Sequence, residues 1–175
     1  MAVAGEQPTL DVQAGAAALD EDIPRVLRVL GAMSLEELGW SRPDKLSLLV
    51  PMMGVYQDKE DEYLLRLGFQ AYRRWPPSAQ FVDPVTLSYV CPHDQHFVPR
   101  IASPECHTHT AYQRTPQSNK IQLICCSATF EFYEVLHGVA EDHLWRETDT
   151  FFTTIAAIQK ALGSSYQGRF PVHGQ

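Results

Sequence analysis

Tyr63-Leu-Leu-Arg-Leu-Gly-Phe-Gln-Ala-Tyr72 sorts into two alternating sets, Tyr63, Leu65, Leu67, Phe69 and Ala71 against Leu64, Arg66, Gly68, Gln70 and Tyr72. Extended backbone points successive side chains to opposite sides, so a two-residue period this long predicts a strand with one face in the core. Upstream, the apolar run Lys45 to Val55 predicts a partner strand, bent or bulged at Pro51 because proline cannot donate to a ladder. The charged segment Gln57-Asp-Lys-Glu-Asp61 joins the two as a hairpin. Downstream, Trp75-Pro76-Pro77 stops the strand, and Ala79 to Val82 predicts a third, closed by Asp83-Pro84.

Helices flank this meander. Residues 1–19 are rich in Ala and Gly, lack periodicity and are expected to form a flexible tail. Asp20-Glu21-Asp22 predicts a helix start, with Pro24 in the first turn and acidic charge at the positive end. Ile23, Val26, Leu27 and Leu30 supply its apolar face and Gly31 its stop. Ser34-Leu-Glu-Glu37 has capping-box spacing for a short second helix ending before Trp40. Residues 83–120 scatter Pro, His, Cys, Ser and Thr without periodicity and predict an irregular belt. Ile121 to Cys125 restores a strand. Thr148-Asp149-Thr150 then caps a helix whose face is Phe151, Ile155, Ile158 and Leu162, with Gly163 as its stop. Helix, consecutive antiparallel strands, belt, strand and helix make an α+β fold rather than a parallel α/β sheet.

Composition narrows the function classes. A chain of 175 residues with 45% hydrophobic and 20% charged residues fits one globular domain. Its net charge of −7 argues against nucleic-acid binding, which needs a basic surface to neutralise phosphates. Arg66, Arg73 and Arg74 form one small basic cluster, suited at most to an acidic partner surface. No apolar stretch is long enough to span a bilayer, and Met1 to Ala18 lacks the pattern of a signal peptide. A cytoplasmic location with reduced thiols is therefore expected.

The chemistry centres on Ile121-Gln-Leu-Ile-Cys125-Cys126-Ser-Ala-Thr129-Phe-Glu131-Phe-Tyr133. A thiol at the end of a buried strand is held rigidly while its sulfur can reach the surface, a platform for covalent chemistry. With Trp75-Pro-Pro-Ser-Ala-Gln-Phe81, the Ile124-Cys125 pair, Trp145 and the helix from Asp149 to Leu162, the chain resembles the ubiquitin-conjugating enzymes, and more closely their divergent bacterial branch. Thr129, Glu131, Phe132-Tyr133 and His137 fit the bacterial pattern after the cysteine. The resemblance spans roughly residues 20–165 and implies a conjugating domain over 20–169 with a tail at 170–175.

This resemblance implies an N-terminal helix, an antiparallel meander, an irregular active-site belt and a C-terminal helix. It also implies thioester exchange without a cofactor or metal. The cysteine takes a ubiquitin-like modifier from an activating enzyme and passes it to an amine on a target protein. Bacterial systems of this kind are often encoded with a deconjugating protease, and several serve antiviral defence. Cys125 aligns with the family's Ile-Cys position, and Cys126 is the alternative nucleophile. The His-Pro-Asn that precedes the cysteine in eukaryotic-type members is absent. Asn119, His137 and the backbone N–H groups around Ser127 are candidate oxyanion donors, with His107 and His109 further upstream; Glu131, His137 and His143 are candidate proton acceptors.

Two other readings remain. A conjugating-enzyme-like scaffold would bind the modifier or activating enzyme without forming a thioester. Alternatively, Cys91, His96, Cys106 and His109, amid His93 and His107, offer thiolates and imidazoles for a zinc site, though without a Cys-x-x-Cys knuckle.

Overall fold

A computed structural model describes residues 8–135 and 144–174. The chain opens with helix α1, Val12–Leu30, capped by the Asp11 carboxylate, which accepts from the Ala14 N–H at 3.0 Å. Gly31 closes it in the left-handed region at φ 69°, where glycine is favoured. The helix thus begins eight residues before Asp20, and residues 12–19 are not tail. Asp20-Glu21-Asp22 and Pro24 fall in its middle rather than its first turn. Its buried face is Gly15, Leu19, Asp22 and Val26.

Four antiparallel strands follow in the order β1-β2-β3-β4: β1 Ser41–Asp44, β2 Ser47–Tyr56, β3 Lys59–Gly68 and β4 Ser78–Val82. Strands β2 and β3 pair without interruption from Ser47↔Gly68 to Tyr56↔Lys59, so the bulge expected at Pro51 is absent. Pairing of β1 with β2 extends only to Leu49. Beyond it, among the described residues, no strand pairs with β2 on that side, where a proline is tolerated. The connecting turn is shorter than the charged segment suggested. Gln57 and Asp58 alone make it, with φ of 52° and 61°, the geometry that matches the twist of a tight hairpin. Leu48, Val50 and Met52 face Leu67, Leu65 and Tyr63 across the ladder on the core side.

The belt is more regular than its sequence suggests. It holds a one-turn 3-10 helix at Gln95–Phe97, β5 at Pro99–Ile101 and β6 at His107–Tyr112. Strand β7, Ile121–Cys125, pairs antiparallel with β6. The short helix α2, Phe130–Glu134, and α3, Phe151–Ser165, follow. Strand β8, Tyr166–Arg169, which sequence reading missed, pairs with β5. Helix α3 buries Phe151, Ile155, Ile158 and Leu162 as expected but runs past Gly163. Asp149 accepts from the Arg146 N–H at 2.8 Å instead of capping α3. The predicted helix at Ser34 shrinks to a 3-10 turn, Glu36–Leu38. Its N-terminal exchange survives, with Ser34 Oγ accepting from Glu37 N–H and the Glu37 carboxylate from Met33 N–H. Among the described residues no helix is long and apolar enough to cross a membrane.

Side-chain polar groups stitch these pieces together. The Gln122 amide accepts from Phe81 N–H at 2.6 Å and donates to Phe81 C=O at 2.8 Å, so it stands in for a peptide group between β7 and β4. The Thr108 hydroxyl bridges Pro99 C=O and Ile101 N–H, fastening β6 to β5. Thr154 Oγ1 donates to Ala128 C=O at 2.6 Å, holding α3 to the turn after β7.

Close packing makes a glycine decisive in α1. A Cβ at Gly15 would meet Phe69 O at 1.8 Å, whereas one at Gly163 would meet nothing within 4 Å. Gly15→Ala is expected to cost about 2–4 kcal/mol by forcing the helix off the sheet. Gly163→Ala is expected to gain about 0.5–1 kcal/mol from helix propensity alone. Urea midpoints of the two variants check the contrast. Equal small shifts would show that α1 does not seat on Phe69 this closely.

Candidate functional site

Cys125 ends β7, and the β6–β7 register sets His107 directly opposite it, with His109 opposite Leu123. Directly opposed residues project to the same face with Cβ atoms about 4.5–5.5 Å apart. The two imidazole rings lie 4.6 Å apart in an edge-to-face arrangement, and Tyr112 follows 5.7 Å from His109. One face of the hairpin therefore presents a thiol beside an imidazole. Burial, with a smaller push from Cys126, holds the Cys125 thiol above the ordinary cysteine range.

The adjacent cysteine has different surroundings. Cys126 packs against Cys106 and lines a cleft of about 550 Å³ with Glu105, Thr153, Lys160 and Ser164. The neighbouring Cys106 thiol, and less strongly the Ala128 N–H, favour the Cys126 thiolate, while Cys106 is pushed up. Hydrogen bonds tie the turn that follows. Thr129 N–H donates to Cys126 C=O at 2.9 Å, and Thr129 Oγ1 lies 2.8 Å from the carbonyl oxygens of both Ile124 and Cys126. The Tyr133 hydroxyl donates to Ser127 C=O and accepts from Trp145 N–H. Trp145 itself is buried and donates through Nε1 to Arg73 C=O at 2.9 Å. A further cleft of about 770 Å³, lined by Met53, Tyr63, Phe97, Gln159 and Arg169, contains neither cysteine nor histidine.

The remaining sequence candidates scatter. Asn119 is exposed and precedes β7, whereas Cys125 ends it. Extended backbone from Ile121 to Cys125 covers roughly 14 Å at about 3.4 Å per residue, so Asn119 sits beyond the opposite end of β7 from that thiol. Glu131 lies elsewhere too. Its carboxylate accepts from Ala79 N–H at 3.1 Å and faces a small pocket of about 190 Å³ with Arg66, Gln70, Ser78 and Gln80. It anchors the start of β4 rather than serving as a base beside either cysteine. His137 and His143 lie outside the described residues. The proposed zinc ligands do not converge. Cys106 pairs with Cys126, His109 stacks on β6 neighbours, and among the described residues no three His, Cys, Asp or Glu side chains group to hold a metal ion. Of the basic cluster, Arg73 is committed to Asp22 and Glu21.

Sequence reading placed His107 only among the distant candidate donors for Cys125, without its direct opposition, and did not link Cys106 to Cys126. The signal was present in mirror order: Cys106-His107 opens one arm of a hairpin and Cys125-Cys126 closes the other. It is visible only once His107-Thr-His-Thr-Ala-Tyr112 is recognised as a strand.

Burial pushes the Glu131 carboxyl up to about 8 against the opposing Ala79 N–H. A carboxyl whose folded-state pKa is raised stabilises the fold most below its unfolded value of about 4.3. That stabilisation is lost as pH rises through the folded value. Stability is therefore expected to fall between about pH 5 and 8 by roughly 2–4 kcal/mol. Glu131→Gln, which keeps an acceptor for Ala79, is expected to flatten that slope in urea titrations. An unchanged slope would assign the dependence to another group.

No family model matches the chain, and no curated protein or solved structure matches it either.

Proposed function

We propose that this protein is a ubiquitin-conjugating-type carrier. It would hold a ubiquitin-like modifier as a thioester on Cys125 and transfer it to an amine on a target protein, in a bacterial conjugation system of the antiviral kind. The observation that carries this reading is the pairing of Cys125, at the end of a fixed strand, with His107 directly across the ladder. Support also comes from the frame around it: an N-terminal helix, a four-stranded meander, the Pro76-Pro77 turn into β4, then a cysteine-ended strand and a C-terminal helix.

The chemistry follows from the two groups. In charging, the Cys125 thiolate attacks the thioester carbonyl presented by the activating enzyme. A C–S bond to Cys125 forms, the original C–S bond breaks, and the activating enzyme's thiol is released. In discharge, the target amine attacks the new thioester, a C–N bond forms and Cys125 leaves. His107, directly opposite Cys125, would take the amine proton or donate to the oxyanion. A thiol with a raised pKa is a poorer leaving group, which slows wasteful hydrolysis of the carrier thioester. The same shift leaves little thiolate at neutral pH, so the imidazole opposite Cys125 carries more of the activation.

The test is a charging assay with ATP and the activating enzyme and modifier encoded beside this chain. The wild type is expected to give a thiol-sensitive adduct, Cys125→Ser a thiol-resistant one, and Cys125→Ala none. His107→Gln is expected to charge but to discharge onto amines about 10²-fold more slowly. An adduct that persists in Cys125→Ala and vanishes in Cys126→Ala would move the nucleophile. No adduct, with an activating enzyme that charges itself, would leave a binding scaffold.

Alkylation supplies a second check. Because its pKa lies above the usual value of about 8.5, carbamidomethylation of Cys125 should accelerate about tenfold per pH unit from pH 7 to 9 without a plateau. A plateau near pH 7 would mean an activated thiolate and a different mode of catalysis.

A further inference from the structure

Cys106 and Cys126 occupy the positions next beyond the His107↔Cys125 pair of the β6–β7 ladder. Opposed residues in an antiparallel pair keep their Cα atoms about 4.5–5.5 Å apart, inside the roughly 4.4–6.8 Å that a disulfide spans. Each thiol is the strongest influence on the other's protonation, and both cysteines are free thiols. Both line the cleft of about 550 Å³ against α3. The exposed Glu105–Lys160 ion pair at 3.5 Å is part of its lining, and Cys106 and Cys126 are 2% and 4% exposed. Side-chain alternation puts this pair on the opposite side of the ladder from Cys125 and His107.

We propose that Cys106 and Cys126 form a peroxide-reactive dithiol, a modification site that hydroperoxides convert to an intramolecular disulfide. In the first step the Cys126 sulfur attacks the terminal oxygen of the hydroperoxide. An S–O bond forms as the O–O bond breaks, and the departing alkoxide (hydroxide for hydrogen peroxide) takes the thiol proton. Cys126 is then a sulfenic acid. In the second, the Cys106 sulfur attacks Cys126, an S–S bond forms as the S–O bond breaks, and hydroxide leaves with the Cys106 proton as water. Two thiols lose two electrons, and the peroxide becomes alcohol and water. The neighbouring Cys106 S–H and Ala128 N–H favour the Cys126 thiolate that the first step needs. Cys106 stands where a resolving thiol must. This site does not depend on the carrier reading of Cys125.

The experiment treats the full chain, reduced and desalted, with equimolar hydrogen peroxide, then alkylates it under denaturing conditions and digests it with trypsin. Cleavage after Arg100, Arg114 and Lys120 puts Cys106 in one peptide and Cys125-Cys126 in another. The expected product is the two peptides joined by a disulfide, retained in Cys125→Ala and lost in Cys126→Ala. In Cys106→Ala, dimedone should trap a sulfenic acid on Cys126. A linkage lost in Cys125→Ala, a link to Cys91, or no linkage at a dose that oxidises free cysteine would each overturn the proposal. Wild type against Cys125→Ala decides the matter even where the other variants fold poorly.

Discussion

A fully buried carboxylate governs how the layers of this protein meet. Asp22, at 0% exposure in the middle of α1, accepts from the Tyr72 hydroxyl, from Arg73 Nε and Nη2 at 2.9 Å, and from Arg25 Nη1 at 3.2 Å. Tyr72 then accepts the N–H of Phe151 at 3.0 Å, at the start of α3. The Arg73 carbonyl receives the Trp145 indole. One charge thus ties α1, the segment after β3 and the start of α3 together. A buried ion pair does not earn stability by itself, since desolvation offsets attraction, but removing one partner of such a pair costs about 3–5 kcal/mol. The arrangement therefore acts as a selector: packings that leave Asp22 unpaired are strongly penalised.

The same economy recurs at the site. β7 is joined to β4 through the Gln122 amide, and β6 to β5 through the Thr108 hydroxyl. Side chains here replace ladder hydrogen bonds where the described sheets meet. The cysteine-bearing hairpin gains its fixed position from these bridges, since buried polar groups left unpaired cost about 1–3 kcal/mol each.

Much of this architecture was legible in the chain. Alternation in Tyr63 to Tyr72, the Trp75-Pro76-Pro77 break and the apolar face of α3 gave the α+β class, most of the meander and the strand ending in Cys125. What escaped notice had physical causes. The first turns of α1 carry small residues because the backbone at Gly15 approaches Phe69 directly, so no apolar periodicity marks them. Strand β6 alternates His and Thr, which reads as polar loop until its partner is known, and β8 is four residues long. Asn119 is six positions from Cys125 in sequence but stands beyond the opposite end of β7 from it. The proposed conjugating chemistry rests on the resemblance of motifs together with the Cys125–His107 geometry.

The alternation at the end of β7 gives the two neighbouring cysteines separate identities. They share a composition, a peptide bond and a strand, yet one sees an imidazole and the other a thiol. Their difference is one of parity alone. A slip of β7 against β6 by a single residue would exchange the two environments, and the Gln122 amide gripped by the Phe81 backbone fixes the frame against that slip. Each sulfur is consequently a readout of strand registration: which one reacts, and with what, reports whether the hairpin is threaded correctly.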